Sequence, residues 1–325
     1  MKSTVKIICT AVLMVAFVQL HAQDEKKKEK KKYENFKERN ISKTYSASGN
    51  NLNIENQFGD VKITAWDKNE IKVDIHIEAS STDKDFAEQT FNRLDVKDKQ
   101  EGKEITFTTT VGNSDVHCKN CSNTMSIDYD IHMPATNKLN IKNSFGSITI
   151  PDYSGPVSID EQYGELIAGK LSKLENLEVS FGQAKIKDLS NADVKFSYTT
   201  VNIDNMSGSN KIKMEFCSYS KINLDNDLNS LTLDDSYSVV HLKPAANFSA
   251  NYDISTSYGS FFDKTGAGIK RTDEPQQYGP DLDKHYSGKS GSGSAKIIIK
   301  SSFGSVMIGE GTEADMKKEK KGTRI

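Results

Sequence analysis

Six prolines, six histidines, four cysteines, four arginines and one tryptophan are all that this chain of 325 residues holds of those types. Arginine stands only at 39, 93, 271 and 324, so the basic proton acceptor of a polysaccharide lyase has no obvious place in the regular part of the chain. Positive charge is not in excess either. The net charge is −2, which leaves no basic field to attract nucleic acid. Apolar residues make up 35% and mean hydropathy is −0.60, too little for a thick spherical core and suited to a thin-cored, high-surface architecture. Long hydrophobic runs are missing after residue 20, so no later segment is expected to cross a membrane as a helix. Serine–histidine–aspartate order, a phosphate-cradling glycine loop and a metal-binding helix motif are absent too.

Three cysteines lie outside the first 22 residues. Cys118-Lys119-Asn120-Cys121, with His117 beside it, is a C-x-x-C in hairpin-like surroundings, and in an oxidising compartment it reads as a local disulfide. A thioredoxin-like role needs that motif at a helix N-terminus in a βαβ setting, which is not visible. Zinc would need further ligands such as Cys217 or His132, and no second paired motif supports it. Cys217, next to Phe216, reads as a small buried residue. The acids between Asp225 and Asp235 lack the glycine-rich nonapeptide of calcium-binding β-rolls and read as polar corners. No cofactor and no metal are expected.

What the chain does have is a repeat. NSFGSITI, DEQYGELIA and EVSFGQAKI follow one another between Leu139 and Ile186. Aligned on the aromatic, the repeat gives Phe145, Tyr163, Phe181, Tyr198, Tyr219, Tyr237 and Tyr258, with outliers at Phe58 and Phe303. Apolar residues three and five positions later alternate, as do pairs before the aromatic, such as Leu139 and Ile141 or Ile297 and Ile299. Each unit is therefore two short strands and two corners. A period near 20 residues, rich in Val, Ile, Thr, Asn and Ser, predicts an all-β fold: a β-solenoid of about nine coils, in the form of a right-handed parallel β-helix. The aromatics are expected to stack at one corner. The glycine that usually follows each is expected to take a conformation closed to other residues. An antiparallel meander is the alternative, because two strands per unit also suit hairpins.

Taken in order, residues 1–22 read as a secretory signal peptide, with Lys2 and Lys6, the run Ile7–Leu20 and a cleavage site after Ala22. Residues 23–48 read as a charged linker. The repeat domain spans 49–310, with Trp66 in a core slot of the first coil. An insertion at 67–134 combines a strand over 71–77, a helix carrying Phe86, Phe91 and Leu94, and a hairpin around Glu101-Gly102; it is expected to cover the open end of the stack. Residues 262–295 read as a long loop before the last coil, IIIKSSFGSVMI, with Tyr278, His285 and Tyr286 as binding candidates. Residues 311–325 read as a basic disordered tail.

A strand ending in Pro134, a short polar link, Leu139-x-Ile141, a polar pair, an aromatic, a glycine and an alternating strand together resemble the putative-adhesin family of bacterial envelope proteins, across roughly residues 50–310. The resemblance implies an exported, non-catalytic β-solenoid located in the periplasm or at the cell surface, and brings no catalytic residues with it. Its partner would be an envelope glycan or protein met by the outer face and loops. Two alternatives stand beside it: a periplasmic structural or envelope-stress component, and a β-helical enzyme cleaving polysaccharide.

Overall fold

The computed structural model describes residues 32–113, 118–276 and 278–322. The signal-peptide reading of residues 1–22 and His117 lie outside the described residues. The protein is all-β, with two helices among the described residues, α1 (Lys84–Asn92) and α2 (Glu313–Gly322).

Strands of successive repeat units pair in parallel, equivalent slot against equivalent slot, in two ladders. In the first, Leu139–Ser144 lies between Asn51–Gln57 and Tyr153–Gln162. The pairing continues through residues 176–180, Asp193–Ser197, 211–215 and 230–236. In the second, Ser147–Ile150 lies between Val61–Ala65 and residues 165–168, and pairing continues through Gln183–Ser190, 200–207, 219–224 and Val239–Pro244. Alternation puts every second side chain inside. Ile54, Ile141, Ile159, Leu177, Val194, Ile212, Leu233, Ile299 and Ile254 form one continuous buried column, register partner upon register partner. Burying each such side chain stabilises the fold by about 1.5–3 kcal/mol, a gain no isolated repeat unit could make.

The insertion extends both ladders rather than standing apart. Glu104–Val111 continues the first ladder beyond Asn51–Gln57 and carries Leu94–Glu101 antiparallel on its far side, with the turn at Gly102. Asn123–Met133 continues the second and is followed by Glu70–Ser81 and then Asn35–Ser46, both antiparallel. The segment read as a charged linker thus contributes a twelve-residue strand. Its charges are the reason it suits an outermost position. Across the two outermost strands, Arg39 donates to the Leu94 carbonyl at 2.7 Å and Tyr45 to Asp98 at 2.6 Å. The expected helix is there with Phe86 and Phe91, but it ends before Leu94, which opens the next strand; it is capped by Asp83, whose carboxylate accepts the Phe86 N–H at 2.8 Å.

The other end departs from chain order. Ala295–Ser302 and Ser305–Gly309, the last strands in sequence, insert between the units of Tyr237 and Tyr258. Asp283–Ser290 then lies antiparallel on the outside of Ala250–Ser257. The residues explain the exchange. Ser305–Gly309 is buried at every position and has a neighbour on both sides, whereas DKHYSGKS alternates exposed and half-buried residues and meets only the short strand Lys270–Arg271 on its outer side. The region 262–295 is accordingly no period-free loop. Arg271, gripped by Asp273 and Asp281, organises its turn. The tail is not wholly irregular either, because Thr312 and Asp315 form a reciprocal cap that starts α2, whose Met316 is buried.

Candidate functional site

Three features stand out: an aromatic corner, a buried row with polar ends beneath it, and an outer-face groove near the N-terminal end. The corner is a column of nine rings, 4.7 to 5.1 Å between centroids and within 13° of parallel: Phe58, Phe145, Tyr163, Phe181, Tyr198, Phe216, Tyr237, Phe303 and Tyr258. Eight of the nine slots match the alignment. The ninth does not: Phe216 occupies the place assigned to Tyr219. One extra residue after this corner moves Tyr219 into the next strand, opposite Val239, where its hydroxyl meets His241 Nδ1 at 2.8 Å. The rings are not core residues. From Phe145 onward each is about half exposed, and all nine sit in left-handed backbone, with φ between 52° and 63°. That conformation costs a side-chain-bearing residue about 1–2 kcal/mol, which stacking of about 0.5–1.5 kcal/mol per pair helps offset.

The glycines after the aromatics do a different job from the one expected. None at 59, 146, 164 or 182 has a positive φ. Each instead lies where a Cβ would stand 1.6 to 1.9 Å from a carbonyl oxygen of the adjacent strand, so glycine is demanded by close approach. Where Thr199, Cys217 and Ser238 stand in that slot, their side chains are buried and bond nearby carbonyls, including those of Val179, Phe196 and Ser236. Burial also pushes the Cys217 thiol up.

Two residues before each aromatic runs an inner row, polar at both ends and apolar in the middle. Asn56 Nδ2 donates to the Gly59 and Ile127 carbonyls and to Asn143 Oδ1, each at 3.1 Å. Asn143 Nδ2 donates to Glu161 Oε2 at 3.1 Å. Glu161 is fully buried, and its Oε1 has no hydrogen-bond partner. Desolvation pushes this carboxyl up to about 8, against the pull of Asn143 and with the help of Asp160 and Asp60. Glu161 is thus a neutral acid in the folded protein below that pH.

The groove lies on the outer face of the first ladder. Asn53, Asn140, Ser158 and Asn176 form one row across four neighbouring strands, and Glu55, Lys142, Asp160 and Glu178 form the next. The groove is shallow and open to solvent, with a volume of about 390 Å³, and a second hollow of about 340 Å³, bordered by Gln57, Thr108 and Gln162, adjoins it. Asn140 Nδ2 donates to Asn53 Oδ1 at 2.6 Å; Asn53 and Asn51 donate to Glu104, holding its carboxyl below the usual range. The amides therefore arrive pre-positioned on a rigid sheet. No sequence signal isolated these residues, because they are the ordinary outward partners of core positions.

The loop candidates do not converge. Tyr278 is exposed at 86%, His285 Nδ1 is engaged with Ser255 at 3.0 Å, and Tyr286 packs on Phe261. Cys118 and Cys121 are bonded to each other. Trp66 is half-buried beside His132 rather than in the core, its indole N–H donating to the Glu70 carbonyl at 2.7 Å. Among the described residues no group of three or more His, Cys, Asp or Glu side chains could hold a metal, and no helix is long and apolar enough to cross a membrane.

No protein-family model matches the chain, and no curated protein matches it. Among solved structures, a putative adhesin of Bacteroides fragilis aligns over 83% of this chain and 97% of its own, with 10% identity and a TM-score of 0.41. A putative adhesin of Parabacteroides distasonis aligns over the same shares, with 10% identity and a TM-score of 0.28. A putative cell adhesion protein of Clostridium sporogenes aligns over 85% of this chain and all of its own, with 12% identity and a TM-score of 0.23.

Proposed function

We propose that the chain is an exported, non-catalytic β-solenoid that binds an extended glycan of the cell envelope along the groove of its first ladder. The observation that carries this reading is the pair of polar rows at Asn53–Asn176 and Glu55–Glu178, which repeat once per strand along the stacking axis. With the threonines at 106 and 108 they cross five strands, a track of about 19 Å at the spacing of paired strands. Fixed amides and carboxylates at a constant interval suit the hydroxyls of a linear sugar chain. Three carboxylates against the single Lys142 favour a neutral or amino sugar over an acidic one. Exposed on the flat side of a sheet, the carboxylates have no enclosing wall to exclude water, which supports binding rather than cleavage.

A panel of neutral, amino-sugar and uronic-acid polysaccharides tests this. The mature chain is expected to retain neutral or amino-sugar polymers, and the double variant N140A/N176A to bind them on the order of tenfold more weakly. Thr149→Ala, on the outer face of the other ladder, should leave affinity unchanged. Release of new reducing ends, or preference for uronic-acid polymers alone, would overturn the reading.

A further inference from the structure

The aromatic column has a feature visible only in spatial order. From Phe145 to Tyr258 the rings alternate strictly, phenylalanine then tyrosine, for eight rungs. Chain order hides this, because Phe216 replaces Tyr219 in the stack and Phe303 enters between Tyr237 and Tyr258. Stacking within the column does not require it, since both rings stack equally well through their faces. Alternation matters at the outer edge. A tyrosine projects one hydroxyl further than a phenylalanine, so the edge is a comb with a tooth at every second rung, roughly 9.6 Å apart at the spacing of paired strands.

Except for the outer face of Tyr258 at the column's end, the faces of these rings are covered by neighbouring rings, which removes the surface a sugar ring or planar ligand would stack on. Only edges remain, and a partner must match their interval over the whole length. We propose that the partner is a second copy of this chain, its column running antiparallel so that each tyrosine tooth enters a phenylalanine recess. A two-fold axis between Tyr198 and Phe216 achieves this for all eight rungs. It sets Tyr198 against the partner's Phe216 at the centre and Phe145 against the partner's Tyr258 at each end, and the contact is isologous, as a closed dimer requires.

The area is sufficient. An aromatic side chain presents about 150–250 Å², and these eight are each about half exposed, so the ridge offers at most roughly 800 Å² per copy, which reaches the amount a standard stable interface buries on each side when teeth and recesses interlock along its whole length. Charge does not oppose it. The residues just before the rings are serine or glutamine in seven of the eight rungs, and the exception, Glu215, is paired with Lys213 at 2.8 Å.

Sedimentation of the mature chain across a concentration series tests the proposal. The wild type is expected to be a dimer. The variant F181Y/F216Y fills two recesses with a residue that the neighbouring rungs already accept, so the fold is retained while the dimer weakens on the order of tenfold or more. The exchange Y198F/F216Y moves tooth and recess together and is expected to restore the dimer. A wild type that stays monomeric at every concentration overturns the proposal. So does a dimer unaffected by F181Y/F216Y, or an exchange variant no tighter than Phe216→Tyr alone.

Discussion

Replacing Gly164 with alanine is expected to cost about 3 kcal/mol or more and to lower the melting temperature by roughly 10 °C, read by calorimetry. The new methyl would stand 1.6 Å from the Gly146 carbonyl oxygen and 2.1 Å from Glu161 Oε1, and backbone on the first side cannot move without parting the strands. Gly146 itself sits against the Gly59 carbonyl, and Gly182 against that of Gly164, so a shift at one corner propagates to the next. Gly102 supplies the contrast. It takes a positive φ of 59° at the hairpin turn, with open space around it, and Gly102→Ala is expected to cost only about 1 kcal/mol. Equal losses at the two sites would refute close approach as the reason for the corner glycines.

Glu161→Gln should stabilise the protein at alkaline pH and leave it unchanged near pH 4.5. Unfolded, this carboxyl loses its proton around its ordinary value of 4.5; folded, it holds the proton to about 8. Between those values the folded state binds more protons than the unfolded chain, so stability falls as pH rises across that window. The full effect is on the order of 3 to 5 kcal/mol. Asn143, which donates to Oε2, favours the ionised form, while burial, the largest influence, opposes it together with Asp160 and Asp60 and prevails. Glutamine keeps the volume and the acceptor for Asn143 without the charge. Urea unfolding at pH 4.5, 6.5 and 8.5 should show the wild type weakening at each step, with the variant holding several kcal/mol more at pH 8.5. A constant difference across the three pH values would mean that Glu161 is already ionised in the folded protein. Groups held below the usual carboxylate range, such as Asp98 beside Tyr45 and Glu104 beside Asn53, lose their contribution only as pH falls under their unfolded values, outside this window.

The period of the chain made the paired strands of each repeat unit legible, because alternation exposes which residues face inward whatever the order of the strands. It also placed eight of the nine column rings. Phe216 was hidden by an inserted residue: the pair Ile222 and Leu224 keeps its spacing from Tyr219, and only the backbone shows the corner three residues earlier. Trp66 matched a slot filled by Leu171, Leu189 and Met206, all buried, but its chain turns outward toward Glu70. Strand order at the C-terminal end was illegible for a different reason. Sequence lists repeat units, whereas position in the ladder follows from which strand most needs two neighbours, and Ser305–Gly309 is buried throughout while Ser260–Lys264 is not. The groove was invisible for want of contrast, since Asn53 and Asn140 resemble any solvated outward residue until the register sets them side by side.

The stacking order itself is the most exposed part of the account, and methyl-to-methyl nuclear Overhauser contacts read it directly. Leu233 and Ile254 should each show a contact to Ile299 and none to each other, because the strand bearing Ile299 lies between them and separates them by roughly 9.6 Å. A direct Leu233–Ile254 contact, with Ile299 touching only one of them, would contradict the order on which the column, its alternation and the dimer all depend.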